Sequence, residues 1–255
     1  GPGGTHHGGL VGWITVSKGD LNNNYATGNV TGGKTHQGGL VGWSTITTGN
    51  FTNNYATGSV SGSTNTGGLL GWSTISTGSF TNSYASGKVT GTTPAGLLES
   101  NTGGAPVSSY WDTVTSEVAS FGVGAGKTTA QMMQQATYSG WDFTNTWYMV
   151  EGSTRPMLRS LATAVTVTAS DITQTYNGSA FVGGNGVSYS HTGFSPTGTL
   201  SYAGTSQGAT NAGEYGITAA GLISNQQYLI SYTAGTLIIN PKVVALSASK
   251  VYDGL

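Results

Sequence analysis

The sequence predicts an all-β chain: a short parallel β-solenoid of about three to four coils, a cap with one helix, and a small, mainly antiparallel β module. Three observations predict it. The hexapeptide "GGLVGW" at 8–13 returns at 38–43 and again as "GGLLGW" at 67–72. The composition, 7% charged, 43 glycines and many Thr, Ser and Asn, departs from the roughly 25% charge of an ordinary domain. Yet 36% hydrophobic and 10% aromatic residues leave enough apolar surface for a core, unlike a disordered tail.

The repeat spans residues 3–99. Trp13, Trp43 and Trp72 are spaced by 30 and 29 residues, and Tyr25, Tyr55 and Tyr84 keep the same register. A fixed period of this size marks a stacked-coil architecture. The unit "GGLVGWSTITTGNFTNNYATGSVSG" holds three β-compatible stretches, "GGLVGW", "NFTNNYA" and "GSVSG", divided by glycine-rich turns. Period-2 alternation in the middle stretch places Phe51, Asn53 and Tyr55 on one face. Stacked about 4.8 Å apart, like residues become columns: Leu21/Phe51/Phe80, Asn23/Asn53/Asn82 and Tyr25/Tyr55/Tyr84. The Asn column is expected to form a buried amide ladder.

Residues 100–161 hold a degenerate last coil and the cap. "AGLLESNTGGAPVSSYWD" keeps the leucines and Tyr110 but lacks the tryptophan. "TTAQMMQQA" (128–136) reads as a helix, with Thr128 and Gln131 in a capping box. Trp141, Phe143, Trp147 and Tyr148 are expected to cover an otherwise open solenoid end. Residues 162–242 alternate as ordinary strands between Gly, Asn and Pro turns. Residues 243–255 echo 165–179, with Tyr176 and Tyr252 spaced by 76 positions, so they read as the first strand of a following, truncated module.

These residues carry a resemblance. The "GGLVGW…NNYATG" units resemble GLUG repeats, and "YWDTVTSE…TTAQMMQQATYSGWDFTNTWYMVEGSTRPMLR" is similar to the segment closing GLUG arrays in filamentous-haemagglutinin-type exoproteins. "ASDITQTYNGSAF…GTLSYAGTSQGATNAGEYGITAAG" resembles the MBG module of those adhesins, and "SKVYDGL" resembles the opening of an MBG or YDG-type repeat. The resemblance implies a non-enzymatic piece of a two-partner-secretion adhesin of a Gram-negative bacterium, extracellular and surface-held, working in attachment or biofilm matrix. It would be a shaft presenting a binding region. The alternative is that the fragment is itself a carbohydrate-binding head using a Trp/Thr/Asn solenoid face, and a remote one is a polysaccharide lyase or hydrolase.

Partners are constrained by charge. A net charge of −1 with eight scattered Lys and Arg provides no basic stripe, so no nucleic acid is expected. Zero Cys excludes disulfides and thiolate chemistry. No run of eighteen apolar residues is present, so no membrane insertion of this fragment is expected, and Gly1-Pro2 reads as the scar of protease cleavage on an expressed fragment. Neighbouring modules of the same chain and a polysaccharide or host or matrix glycan are the expected partners.

Chemical motifs are sparse. "FGVGAGKTT" (121–129) mimics a phosphate loop, but Phe121 stands where the pattern needs glycine, so it reads as a linker. Asp112, Glu117, Asp142 and Glu151 are read as solvated or capping groups, and no catalytic residue, cofactor or metal site is expected. His6 and His36 should stack, with His7 alongside and Asn65 next in the column; without a carboxylate they read as a polar turn rather than a metal site. Asn29, Asn50 and Asn177 fit the N-glycosylation pattern, which an Asn-, Ser- and Thr-rich chain matches by chance. The remaining candidates are Trp13, Trp43 and Trp72. Their parity opposes that of Leu10, Leu40 and Leu69, so they are expected to face out as a platform for glycan or another partner.

Overall fold

The computed structural model describes residues 5–224, 228–249, 253 and 254. Two compact units divide the chain near Leu161. The first is a parallel β-solenoid. Its second coil runs through five strands: β1 (His36–Gly38), β2 (Val41–Thr48), β3 (Phe51–Thr52), β4 (Tyr55–Ala56) and β5 (Val60–Gly62). Each pairs in parallel with its counterparts in the coils before and after, so Trp13, Trp43 and Trp72 stand in register, followed by Ser100 in the fourth coil.

"GGLVGW" is therefore not one strand. Gly39 and Leu40 form the corner between β1 and β2, and only Val41 onward is strand. The corner explains the glycines: a Cβ on Gly39 would overlap the Gly68 carbonyl of the next coil and lie 2.7 Å from Ala56 Cβ. Leu40 and Val41 both point inward, and alternation resumes after Gly42 with Ser44 and Ile46 inside. Leu40, Val41, Ile46, Phe51 and Ala56 form the core with their counterparts above and below. At the Ser44 level, where the first coil has Ile14, the hydroxyls of Ser44 and Ser73 bond each other at 3.0 Å, which satisfies them in an otherwise apolar interior.

The middle stretch departs from simple alternation. Asn23, Asn53 and Asn82 have φ of 57°, 57° and 52° and turn the chain, a left-handed geometry that asparagine tolerates. This corner separates Phe51, which enters the core, from Tyr55, which faces away from it. The buried polar ladder consequently sits one residue later than expected, at Asn24, Asn54, Ser83 and Ser109. Asn54 Oδ1 accepts from the Asn24 N–H at 2.9 Å, Ser83 Oγ from the Asn54 N–H at 3.1 Å, and Ser109 Oγ from the Ser83 N–H at 3.2 Å.

The fourth coil comprises Pro94–Ala95, Leu98–Gly103 and Tyr110–Asp112. Trp111 occupies the column of Ala26, Ala56 and Ala85, and its larger ring plugs the stack against Gly96. Residues 121–127 then cross this end: Gly96 N–H donates to Phe121 O, Val123 N–H to Leu98 O, and Ala125–Lys127 pairs with Tyr110–Asp112. The glycine-rich "FGVGAGK" is thus a rung-closing segment, with Ala125–Lys127 as strand, rather than a linker. Gly122 and Gly124 have φ of 110° and 118°, which other residues rarely adopt.

The remaining cap lies along the flank of the stack. Its helix is a single turn, Thr129–Met132, with the Thr128/Gln131 capping box formed. Trp141, Trp147, Tyr138, Met132 and Leu158 pack on the column Tyr55, Tyr84, Tyr110. The aromatic residues of the cap were expected at an open end; they cover the tyrosine side instead, because those rings face out of the coil and require an apolar partner.

Among the described residues, the second unit has two sheets. In one, Thr163–Ala169 pairs antiparallel with Val187–Tyr189 and parallel with Tyr228–Thr233. In the other, Gly213–Ile223 pairs antiparallel with Thr197–Ala203 and Gly235–Asn240, which lies parallel to Ile172–Thr175. Alternation aims Val165, Val167, Ile217, Leu237 and Ile239 into one core. Three of these five pairings are antiparallel; the two parallel ones arise where the first strands of the unit lie beside its last. Residues 243–249 form no strand, and Val243, Val244 and Leu246 are exposed. A strand exists only with a bonded neighbour, and none lies beside this segment among the described residues. Gly1-Pro2 and Tyr252, used in the sequence reading, lie outside the described residues.

Candidate functional site

The outward face of the long strand is the candidate site. Past Gly42, β2 points Trp43, Thr45 and Thr47 away from the core. The register repeats this on each coil, giving an indole column Trp13–Trp43–Trp72 with centroid spacings of 6.0 and 6.3 Å. Trp13 is exposed, and Trp43 and Trp72 are half-buried. Beside them runs a hydroxyl column, Thr15–Thr45–Thr74–Thr102. Trp43 Nε1 donates to Thr45 Oγ1 at 3.2 Å, which fixes the indole against the neighbouring hydroxyl.

His6 and His36 belong to this same face. His6 stacks on Trp43 with ring planes 6° apart and centroids at 5.2 Å, and His36 lies 4.6 Å from Trp43. Imidazole and indole therefore form one aromatic strip rather than a separate polar corner. His36 is held below the ordinary histidine range, first by burial and then by the nearby His6. His7 points elsewhere, toward the Thr31 carbonyl at 3.3 Å. Among the described residues no group of three or more His, Cys, Asp or Glu is placed to hold a metal ion.

The sequence reading placed the indoles and threonines on an outer face but missed the imidazole contact. It was recoverable, since His6/His36 share the thirty-residue period of the tryptophans. The tyrosine column does stack, Tyr25–Tyr55 at 5.6 Å and Tyr55–Tyr84 at 5.2 Å with planes 2° apart, but the cap covers it. Burial first, then the charge of Tyr25, pushes Tyr55 up to about 12; burial of Tyr84 raises it well above the ordinary tyrosine value. Asn53 Oδ1 accepts from Trp147 Nε1 at 3.3 Å, which ties the corner asparagine to the cap.

Four carboxylates of the cap region, Asp112, Glu117, Asp142 and Glu151, hold structure together, whereas burial raises the pKa of Glu99 in the fourth coil. Asp112 is fully buried and accepts from Arg155, from Thr129 Oγ1 and from the N–H groups of Val114 and Thr115. Burial raises its pKa, but the Arg155 hydrogen bond and these other donors outweigh burial and hold it below the ordinary carboxylate value. Asp142 caps the turn at Thr144 and Asn145, Glu117 pairs with Lys88 at 2.7 Å, and Glu151 accepts from the Gln135 N–H. Comparison of the chain with protein-family models, with curated proteins and with solved structures finds no match. No helix among the described residues is long and apolar enough to cross a membrane.

Proposed function

We propose that this chain is a non-enzymatic structural and binding segment of a secreted surface adhesin of a Gram-negative bacterium, acting in attachment or biofilm matrix. The repeated units resemble the GLUG repeats of such proteins, and the coil stack supports the shaft role. Every coil bonds to the next through backbone ladders and through the Asn24–Asn54–Ser83 column, which makes a rod whose length is set by the coil number. Asp112, Glu117, Asp142 and Glu151 are engaged in caps, ion pairs and backbone hydrogen bonds.

A second reading makes the fragment itself a carbohydrate-binding head, and one observation favours it. Trp13, Trp43 and Trp72 lie on an outer face beside a continuous Thr column, a pairing of apolar rings with hydroxyls that suits a pyranose with its C–H face and OH rim. The test is a glycan-array and matrix-polysaccharide binding assay of the chain against Trp43→Ala. Binding lost with the indole assigns the head to this face, and binding by neither protein leaves the shaft. Binding retained by the variant rejects the indole strip as the contact.

A further inference from the structure

The two ends of the solenoid are unequal. The C-terminal end is plugged by Trp111 and crossed by residues 121–127. At the other end, the first coil presents to solvent what every later coil buries. Leu10 is 51% exposed while Leu40, Leu69 and Leu97 are at 0%, and Tyr25 is 43% exposed while Tyr55 and Tyr84 are at 6% and 2%. Val11–Lys18, an eight-residue strand, is the outermost member of its sheet.

The polar groups of this face specify more than an apolar cover. Side-chain ladders between coils have a fixed direction. In the 24/54/83 column, the oxygen of each coil accepts from the backbone N–H of the coil before it. In the 20/50/79 column the sense is reversed: Asp20 Oδ1 accepts from the Asn50 N–H at 2.7 Å, and Asn50 Oδ1 from the Ser79 N–H at 3.1 Å. At the first coil, Asn24 Oδ1 therefore stands ready to accept, and the Asp20 N–H to donate, with no partner for either among the described residues. An approaching segment must bring an N–H to the first and a side-chain oxygen to the second, at the same spacing.

We infer that this N-terminal face is an acceptor surface for one more thirty-residue rung of the same pattern, laid in parallel on Val11–Lys18. The inference extends the established coil-to-coil interface, and it does not depend on the adhesin reading. A two-fold-related second copy fits poorly. It would run antiparallel and pair only along the long strand, which leaves Asn24 Oδ1 and the Asp20 N–H unanswered. Head-to-tail stacking is closed to it as well, because the far end is plugged. Addition of a strand-forming segment to a sheet edge, with pockets for alternate side chains, is a general mode of peptide recognition.

The test inserts a copy of residues 35–63 immediately ahead of Thr5 in the full chain, with a second version in which the same residues are scrambled. Hydrogen exchange reads the outcome. The authentic rung is expected to protect Val11–Lys18 to the level of Val41–Thr48 and to be protected itself, while the scrambled one leaves the edge as it is. The existing coils report their own folding in both proteins. Equal exchange at the edge with authentic and scrambled inserts overturns the inference. So does a parent chain that sediments at twice its 25.8 kDa with Val11–Lys18 already protected, since a second copy would then occupy the face.

Discussion

Replacing Gly71 by alanine tests whether close stacking is the reason for the repeated glycines. A Cβ there would lie 2.7 Å from Asn65 O, 2.7 Å from Gly42 O and 2.8 Å from Gln37 N, all main-chain atoms. Ordinary contact begins at 3.4 Å, so these atoms must give way by 3.4 − 2.7 = 0.7 Å. The Gln37 N–H···O Asn65 bond between the second and third coils is 3.0 Å long; displacement of one partner by that amount stretches it to as much as 3.7 Å, beyond hydrogen-bonding range. Overpacking plus a weakened buried bond costs about 3 kcal/mol, since neither flanking coil can relax without disturbing the next. For a unit of this size that lowers Tm by roughly 6–12 °C. Gly28→Ala is the control, because nothing lies within 4 Å of its Cβ. Thermal unfolding followed by circular dichroism should show a large loss for Gly71→Ala and almost none for Gly28→Ala. Equal Tm values for the two variants would refute the stacking argument.

Other perturbations probe the cap. Asp112→Ala leaves Arg155 without its partner and should cost about 3–5 kcal/mol in a urea titration. Because the pKa of folded Asp112 lies below its unfolded value of 3.8, its stabilisation is present above pH 3.8 and is lost as pH falls through the folded value; a Tm-against-pH profile of Asp112→Asn should lack that part of the acid decline. Tyr84→Phe removes the 2.6 Å bond to Pro156 O and leaves that buried carbonyl unpaired, a loss of about 1–2 kcal/mol measurable by denaturant midpoint. With Tyr55 raised to about 12, its contribution is intact below pH 10 and disappears between 10 and 12; alkaline spectrophotometric titration should show this late ionisation, and Tyr55→Phe should remove it.

The period of the solenoid was legible because a coil can stack on its neighbour only if like residues recur at equal spacing, and Trp, Tyr and Val all do. The faces were less legible. In "NNY" either asparagine can adopt the left-handed corner, and local chemistry does not distinguish Asn53 from Asn54; the corner at the first moved the buried ladder to the second. The capping box at Thr128 was readable because it is wholly local. The placement of the cap was not: Trp141 and Trp147 announce burial, but that they seat on Tyr55 and Tyr84 follows from a tertiary contact between distant segments. At the candidate site the indoles do face out, but parity counted from Leu40 was not the reason, since Leu40 and Val41 both point inward; the imidazole on Trp43 required the corner geometry that brings β1 beside β2.

The parallel ladders also set how the solenoid yields to force. Its inter-coil hydrogen bonds run along the stacking axis, so tension applied at the exposed first coil opens them a few at a time, as a zipper opens, instead of shearing a whole strand at once. Each rung released pays out thirty residues of chain, a lengthening of about 100 Å. Traction would meet a series of short, evenly spaced yields and then a firmer stop where Asp112, Arg155 and the cap rings bind the last coil to segments far along the chain.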